Sequence, residues 1–300
     1  MVGYLARRAL FGLLTLFFAS VIIFFVVGTL GQAVVTPGGY AAWAAGLLRG
    51  DLGTSLWQHA SVDSVIALHV WPTVLLMGSS LALTVIVAIP FGTCAAIKRG
   101  GLLDNAGRAF FFVGYSLPGF WLGAILQLVL GIYLADWAGT RVFYVSGIST
   151  PGNGGVVDLL QHLVLPVITL SAASVAQFVR FQRGAMVDAL ASDYVRAARA
   201  KGLGRRGVYL KHALRNALLP TVTLFALSMG TISGGAIVIE AVFSWPGLGF
   251  LFVDSLAKGD YEVIRALAII NAAFVIFFNL LADVAYTLLD PRISYGSEQA

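Results

Sequence analysis

Long uncharged stretches alternate with short charged segments along the whole chain. The stretches that predict membrane spans are 9–30, 73–97, 109–135, 159–179, 216–239 and 266–289, the last interrupted only by Asp283. Each reaches the roughly 20 apolar residues that a helix needs to cross a bilayer core about 30 Å thick. Because the stretches are uniformly apolar rather than alternating, they predict α-helices and not barrel strands. We expect a single all-α membrane domain over 1–300, with a connecting segment at 180–215.

The overall composition agrees with this pattern. Hydrophobic residues make up 59% of the chain and charged residues only 11%, against about a quarter charged in soluble proteins. A water-soluble fold is therefore excluded. The one cysteine, Cys94, lies inside the second predicted span, so no intrachain disulfide can form and we expect this thiol to be a small buried apolar residue.

The basic residues predict the orientation of the chain. Of the 19 Lys and Arg residues, all but Arg49, Arg141, Lys258 and Arg265 lie in segments on the same side as the N-terminus. Lys and Arg are retained on the cytoplasmic side during insertion, so both termini are predicted to be cytoplasmic. Most tryptophans fall in or beside the opposite loops, as expected for interfacial side chains; these are Trp43, Trp57, Trp71, Trp137 and Trp245.

Few residues suggest chemistry. Asp283 is the only carboxylate inside a span and lies near its predicted cytoplasmic end, which favours a structural ion pair over a proton relay. His162 is expected to pack or to form a hydrogen bond.

The chain has no HExxH, GxSxG or GxxxxGK[ST] motif. We therefore predict no catalytic residue, no metal site and no cofactor in this chain. The chain has a net charge of +5 but no nucleic-acid recognition motif, so we do not expect it to bind nucleic acid.

The segment 180–215 contains an amphipathic pattern. From 187 to 201 polar residues recur at helical spacing, and Gly202 and Gly204 then interrupt the pattern. The polar stripe is Asp188, Ser192, Arg196 and Arg199, and the other face is Val187, Leu190, Tyr194 and Ala198. Such a helix suits either an anionic lipid surface or a docking protein, and the pattern alone favours neither.

The residues 193–202, Asp-Tyr-Val-Arg-Ala-Ala-Arg-Ala-Lys-Gly, together with Pro220, resemble the EAA loop of binding-protein-dependent ABC importer permeases. Other stretches resemble the peptide and nickel branch of that family and occur in the same order; they are 50–55 (GDLGTS), 162–166 (HLVLP), 243–249 (FSWPGLG) and 289–292 (LDPR). The start at 4–8, YLARR, is similar to the B-subunit type. The resemblance covers nearly the whole chain.

The chain departs from the common family pattern in two places. Arg196 stands where the motif has its eponymous glutamate, as is usual in the peptide branch. The first outer loop is shorter than is common there and lacks a Pro-Gly-Asp-Pro segment, which bears on the contact with a binding protein and so on the substrate class.

The resemblance implies a type I permease fold with six transmembrane helices in a bacterial inner membrane. It implies a cytoplasmic coupling helix that sits in a cleft of a nucleotide-binding subunit through Asp193, Tyr194, Arg196, Ala197, Ala198 and Gly202. At the outer face, contact with a substrate-binding protein is expected from Asp51, Trp245, Pro246 and Gly247.

The expected partners are a second homologous permease, two ATPase subunits or one fused ATPase that bind ATP and Mg²⁺, the binding protein and the lipid bilayer, but no nucleic acid. The implied function is ATP-driven import, of peptides first and of nickel or another small solute as the alternative. Considered without the resemblance, a stand-alone channel, a secondary transporter or a membrane scaffold stays open.

Overall fold

A computed structural model describes residues 2–31 and 35–289, with side chains for 6–31, 35–222 and 224–284. Its helices are α1 (Val2–Leu30), α2 (Pro37–Leu48), α3 (Val62–Ile97), α4 (Leu102–Ser116), α5 (Gly119–Ala138), α6 (Val156–Ala191), α7 (Asp193–Ala200), α8 (Arg205–Val242), α9 (Leu248–Lys258) and α10 (Tyr261–Leu289). Two of them contain wider π-helical turns, at Gln127–Tyr133 in α5 and at Val208–Ala213 in α8. Within the described residues, six helices are long and apolar enough to cross a membrane, namely α1, α3, α5, α6, α8 and α10. The predicted all-α bundle with six spans is confirmed.

The third span begins later than the sequence pattern predicted. The uncharged stretch 109–135 is divided, because α4 ends at Ser116 and α5 starts at Gly119. Leu117 is extended, with φ −83° and ψ 131°, as a residue before proline prefers, and Pro118 has no amide hydrogen to continue the helix. Residues 109–116 therefore belong to a separate amphipathic helix and not to the span.

The segment 180–215 is more helical than a connecting loop. Helix α6 continues beyond its predicted end to Ala191, and α8 already begins at Arg205. Between them, α7 forms the second half of the amphipathic pattern that the sequence showed at 187–201. The first half, 187–191, is the end of α6.

The centre of the bundle is the packing of α3 against α6. Leu76, Leu165 and Phe243 are buried there with 1% exposure or less. Gly92 allows the closest approach, since a Cβ atom at this position would lie 3.0 Å from the Gln182 Cβ and 3.0 Å from the Val179 carbonyl oxygen. Cys94, on the same turn of α3, is exposed on the outside of the bundle, so its predicted burial is wrong: the close packing uses the face of Gly92, and the thiol points away from it.

Helix α1 lies at the edge of the bundle against α10. A Cβ at Gly12 would be 3.0 Å from Ile276, and Arg8 Nε lies 3.3 Å from Asp283 Oδ2. The structural ion pair predicted for Asp283 is confirmed. The opposite face of α1, with Phe18 and Ile22, is exposed and apolar, as a lipid-facing surface requires.

We expect Gly92→Ala to destabilise the bundle, because the added methyl group meets a backbone carbonyl that cannot move aside cheaply. The free energy of unfolding should fall by about 1 to 3 kcal/mol, as for other overpacked positions. The measurement is the thermal unfolding of the purified protein in detergent.

Gly78→Ala is the matched control on the same helix, because a Cβ there would meet nothing within 4 Å. This variant should unfold at the wild-type temperature or slightly above it, since alanine favours a helix over glycine. Equal effects of the two substitutions would contradict the close packing at Gly92.

Candidate functional site

The short helix α7 has one face packed on the bundle and one face exposed. It follows α6 after the single residue Ser192, whose backbone is extended. Val195 and Ala198 are buried, with exposures of 0% and 6%, in a small apolar core with Met186 and Val208. Tyr194 is 41% exposed on the other face, where Asp193, Arg196 and Ala197 are exposed as well. The bundle therefore holds α7 from one side and leaves its other face exposed.

Gly202 ends α7 with a left-handed turn. Its φ is +79°, a conformation that costs an L-residue with a side chain about 1 to 2 kcal/mol. The Gly202 amide donates to the Arg199 carbonyl at 3.0 Å, and the Leu203 amide donates to the Ala198 carbonyl at 3.4 Å. This pair of hydrogen bonds is the Schellman cap, which satisfies the last carbonyls of a helix. The reason for glycine at 202 is the backbone conformation and not a lack of space, since a Cβ there would meet nothing within 4 Å.

A buried ion pair fixes the end of α6 that carries α7. Arg183 on α6 donates from Nε and Nη2 to the two carboxylate oxygens of Asp104 on α4, at 2.6 and 2.8 Å. The Gly100 amide donates to Asp104 at 2.9 Å, and Arg108 Nε lies 3.6 Å from the same carboxylate. The hydrogen bonds from Arg183, followed by those from Gly100 and the nearby positive charges, outweigh burial and hold the pKa of Asp104 well below its usual range.

A polar bridge one residue earlier links three spans. The Gln182 side chain is fully buried. Its amide nitrogen donates to Thr93 Oγ1 on α3 at 3.3 Å, and its oxygen accepts from Thr221 Oγ1 on α8 at 2.6 Å. Together with the Asp104 ion pair, this bridge ties the α7 end of the bundle to α3, α4 and α8.

At the opposite end, α9 is capped by two other helices. The Leu248 amide donates to Thr73 Oγ1 of α3 at 2.7 Å. The Gly249 and Phe250 amides donate to Glu240 Oε2 of α8 at 2.7 and 3.1 Å, and Thr73 Oγ1 donates to Glu240 Oε1 at 2.7 Å. Glu240 is fully buried. A carboxylate at the first amides of a helix is favourable for both hydrogen bonding and the helix dipole.

The loop before α3 folds onto the turn between α9 and α10. Ser55 Oγ and the amides of Leu56 and Trp57 all donate to the buried carboxylate of Asp260, at 2.5 to 3.4 Å. Asp51 in the same loop is exposed and accepts from the Gly53 amide at 2.9 Å. Asp51 is therefore accessible at the α9 end.

Trp245 lies inside this end of the bundle. It is 0% exposed, and its indole Nε1 donates to the Pro72 carbonyl at 2.9 Å. Gly247 is also buried, because it packs directly against Glu240 and Thr73. Pro246 keeps part of its surface.

A cavity of about 400 Å³ opens between α3, α8, α9 and α10 near these caps. Its walls are mainly apolar, with Met77, Phe252 and Phe274 among them, and its polar groups are Thr73, Ser233, Glu240 and Asn271. Within the part of the chain that is described, no group of three His, Cys, Asp or Glu side chains could hold a metal ion.

Comparison with known proteins assigns the family. Residues 88–295 match the family described as binding-protein-dependent transport system inner membrane component. The chain belongs to this family. It is 40% identical over 258 residues to the oligopeptide transport system permease protein AppB of Bacillus subtilis (85% of this chain, 80% of the relative). It is 35% identical over 272 residues to the dipeptide transport system permease protein DppB of Escherichia coli (85% and 80%).

Two further matches extend the comparison. The glutathione transport system permease protein GsiC of Pectobacterium atrosepticum is 41% identical over 249 residues, covering 83% of this chain and 76% of the relative. Among solved structures, an inward-facing MetNI methionine ABC transporter superposes with a TM-score of 0.56 at 18% identity, covering 76% of this chain and 97% of the other. The permease therefore has the ABC importer fold and is a multi-pass inner membrane component of a transport system.

The permease exposes only part of the predicted site. At the α7 end, Ala198 is 6% exposed and packs against the bundle, whereas Ala197 is exposed. The predicted part of these residues in coupling to an ATPase stays a prediction. At the other end, Trp245 and Gly247 are buried and offer no surface to a binding protein, whereas Asp51 and Pro246 are accessible. The large indole packs within the bundle because its one polar atom finds a backbone acceptor there.

Several structural residues were not identified from the sequence. Glu240 and Asp104 were not singled out, because each lies just outside an uncharged stretch and resembles an ordinary flanking charge. The available signal was their position beside a glycine-rich turn or a predicted span end, where carboxylates commonly cap helices. The prediction that His162 packs or forms a hydrogen bond is confirmed. Its ring stacks on Tyr144 with 4.2 Å between the ring centroids, and its Nδ1 lies 2.8 Å from the Asp158 carbonyl oxygen.

We expect Asp104→Asn to lower the free energy of unfolding by about 2 to 3 kcal/mol at neutral pH, because a charged hydrogen-bonded pair is lost. The folded-state pKa of Asp104 lies below the unfolded value of about 3.9. The ion pair therefore stabilises the fold fully above that unfolded value, and the contribution is lost as pH falls through the folded pKa. The difference between wild type and variant should be constant from about pH 5 to 8 and shrink below about pH 4. Thermal unfolding across this pH series is the measurement, with the exposed Asp136→Asn as control; a difference that grows on acidification would refute the assignment.

Gly202→Ala should loosen the end of α7 by about 1 kcal/mol or slightly more, through the strained left-handed turn alone. Faster amide hydrogen exchange at residues 198–203 is the expected readout. Gly204→Ala is the matched control, because Gly204 has φ −62° and open space around it. If both variants exchange alike, the left-handed turn is not what holds this end of the helix.

Proposed function

We propose that this permease forms the transmembrane pathway of an ATP-driven peptide importer and that α7 is its coupling helix. The observation that carries the proposal is the division of α7 into a buried face, Val195 and Ala198, and an exposed face, Tyr194 and Ala197, at the end of the clamped helix α6. A helix held in this way transmits a push from a docked subunit into the spans.

The proposed orientation puts the α7 end in the cytoplasm, together with both termini. Support comes from the distribution of basic residues, since Lys and Arg cluster in the segments on that side. In this orientation ATPase subunits, which bind ATP and Mg²⁺, dock on α7, and an extracytoplasmic binding protein meets the α9 end near Asp51 and Pro246. A second homologous permease completes the pathway.

The proposed cargo is a short peptide. The names of the relatives specify oligopeptide, dipeptide and glutathione transport, and these cargoes share peptide-like amide groups. The cavity between α3, α8, α9 and α10 fits such a role chemically, because its apolar walls do not select a side chain, while Ser233 and Asn271 are able to hydrogen-bond a passing amide.

The mechanism depends on two states of the bundle. ATP binding closes the ATPase pair and draws the two coupling helices together, and hydrolysis releases them. The side chains of Arg183 and Gln182 connect α6 to α3, α4 and α8, so displacement of α7 shifts these helices together rather than bending α6 alone. Such a shift requires contacts that differ between the two states.

We expect Ala197→Trp to block docking, because the indole projects from the exposed face of α7 without entering the bundle. Peptide uptake driven by ATP in vesicles containing the full importer and its binding protein should fall at least about tenfold, which corresponds to the loss of about 1.4 kcal/mol of docking free energy. Co-purification of the ATPase with the permease should fall with it.

Ala41→Trp, at an exposed alanine on α2, is the matched control and should transport normally. Uptake that is unchanged in the correctly inserted Ala197→Trp importer would refute α7 as the coupling helix.

The substrate class is tested in the same vesicles by comparing the uptake of dipeptides and oligopeptides with the uptake of nickel. Transport without any ATPase would favour a channel or secondary transporter.

A further inference from the structure

A second cavity lies between α4 and α6 at the α7 end. Its volume is about 230 Å³. The residues that α4 contributes follow helical spacing and so do those from α6; the lining is Arg108, Phe111, Phe112 and Tyr115 from α4, and Ala176, Gln177, Val179, Arg180 and Arg183 from α6. The Asp104–Arg183 ion pair brings these two faces together.

The cavity carries an excess of positive charge. Arg108, Arg180 and Arg183 line it, and Asp104 pairs with Arg183 and, at 3.6 Å, with Arg108. Arg180 is exposed and stacks over Phe181 at 5.8 Å, and no ion pair involves it among the described side chains. Asp188, the next carboxylate on α6, is eight residues away, about 12 Å along the helix. The lining of this cavity therefore contains three guanidinium groups and no carboxylate, and the nearby Asp104 pairs with two of them.

The charge is concentrated toward one end of the cavity, although Arg180 is only four residues from Ala176. Along α4, Arg108 is seven residues from Tyr115, and along α6, Arg183 is seven residues from Ala176. Each interval is about 10 Å of helix rise. Phe112, Tyr115, Ala176 and Gln177 line the part away from Arg108 and Arg183, so the walls there are mainly aromatic and aliphatic, with one amide side chain.

We propose that this cavity binds an anionic phospholipid of the surrounding bilayer. The phosphodiester lies between Arg108 and Arg180, and the first part of one acyl chain lies along Phe112 and Ala176. The two ends match the two parts of a lipid, since basic pockets between membrane helices recognise lipid headgroups and the apolar walls favour an acyl chain. The site lies outside the proposed docking face of α7, and the proposal does not depend on the identity of the cargo.

The consequence of such a lipid concerns the ion pair beside it. A phosphate between Arg108 and Arg180 adds a second anion next to Asp104 and neutralises the guanidinium groups that Asp104 leaves uncompensated. The bound lipid would thus hold α4 against α6 at the point where α6 leaves the bilayer.

The test is native mass spectrometry of the purified importer complex after addition of phosphatidylglycerol or of phosphatidylcholine with identical acyl chains. Wild type should retain phosphatidylglycerol in preference to phosphatidylcholine. Arg108→Gln combined with Arg180→Gln should weaken phosphatidylglycerol binding by about tenfold to thirtyfold, for two guanidinium groups near a membrane surface. Arg183 is left unchanged because it holds Asp104.

The matched control combines Arg7→Gln and Arg99→Gln, which removes the same charge from exposed positions at the same end of the bundle. This control, and the variant that combines Arg108→Lys with Arg180→Lys, should retain phosphatidylglycerol. The proposal fails if the control loses lipid equally, if phosphatidylcholine binds as well, or if glycerol 3-phosphate displaces the lipid at equal concentration. It also fails if a photo-crosslinker at Phe112 reaches a partner protein instead of lipid.

Discussion

The length of α6 is the constraint on which the rest of the structure depends. Its 36 residues span about 54 Å at 1.5 Å per residue, whereas the apolar core of a bilayer is about 30 Å thick. A continuous helix of this length must leave the membrane, and the excess is stable only if neighbouring elements hold it. Asp104 holds it through Arg183, and Thr93 and Thr221 hold it through Gln182. Because these contacts involve three other helices, α7 is mounted on a stiff support rather than on a loop.

The two ends of the bundle solve the problem of polar groups in different ways. At the α9 end, buried carboxylates accept hydrogen bonds from backbone amides: Glu240 serves the start of α9 and Asp260 serves the loop around Ser55. Such groups are costly to bury and costly to disrupt once satisfied. At the α7 end, charged and aromatic side chains such as Tyr194 and Arg196 stay exposed. The α9 end is therefore held together largely by contacts within the chain, whereas the α7 end leaves these side chains exposed.

The hydrophobic pattern was sufficient to predict an all-α bundle with six spans, because backbone satisfaction in lipid leaves few alternatives. It did not predict the division at Pro118, where one residue without an amide donor separates two apolar stretches of similar composition. Periodicity placed Ala198 and Tyr194 on the same face of the helix, but it did not predict that Ala198 is buried while Tyr194 is 41% exposed, since that depends on how α6 and α8 pack against α7. Trp245 appeared interfacial by residue type, yet a single carbonyl acceptor at Pro72 made burial favourable. Contacts between residues far apart in sequence, such as Thr73 with Glu240 and Ser55 with Asp260, could not be predicted from the pattern.

The caps at the α9 end also constrain the order in which the chain matures. Thr73 and Ser55 belong to the first quarter of the chain, whereas their partners Glu240 and Asp260 are synthesised more than 160 residues later. During translation the loop before α3 must therefore wait in the membrane interface with its amides bonded to water. It can close only after α8 has been synthesised and the turn after α9 has formed. A chain truncated before Glu240 would keep most of its spans but lack both carboxylates that close the α9 end.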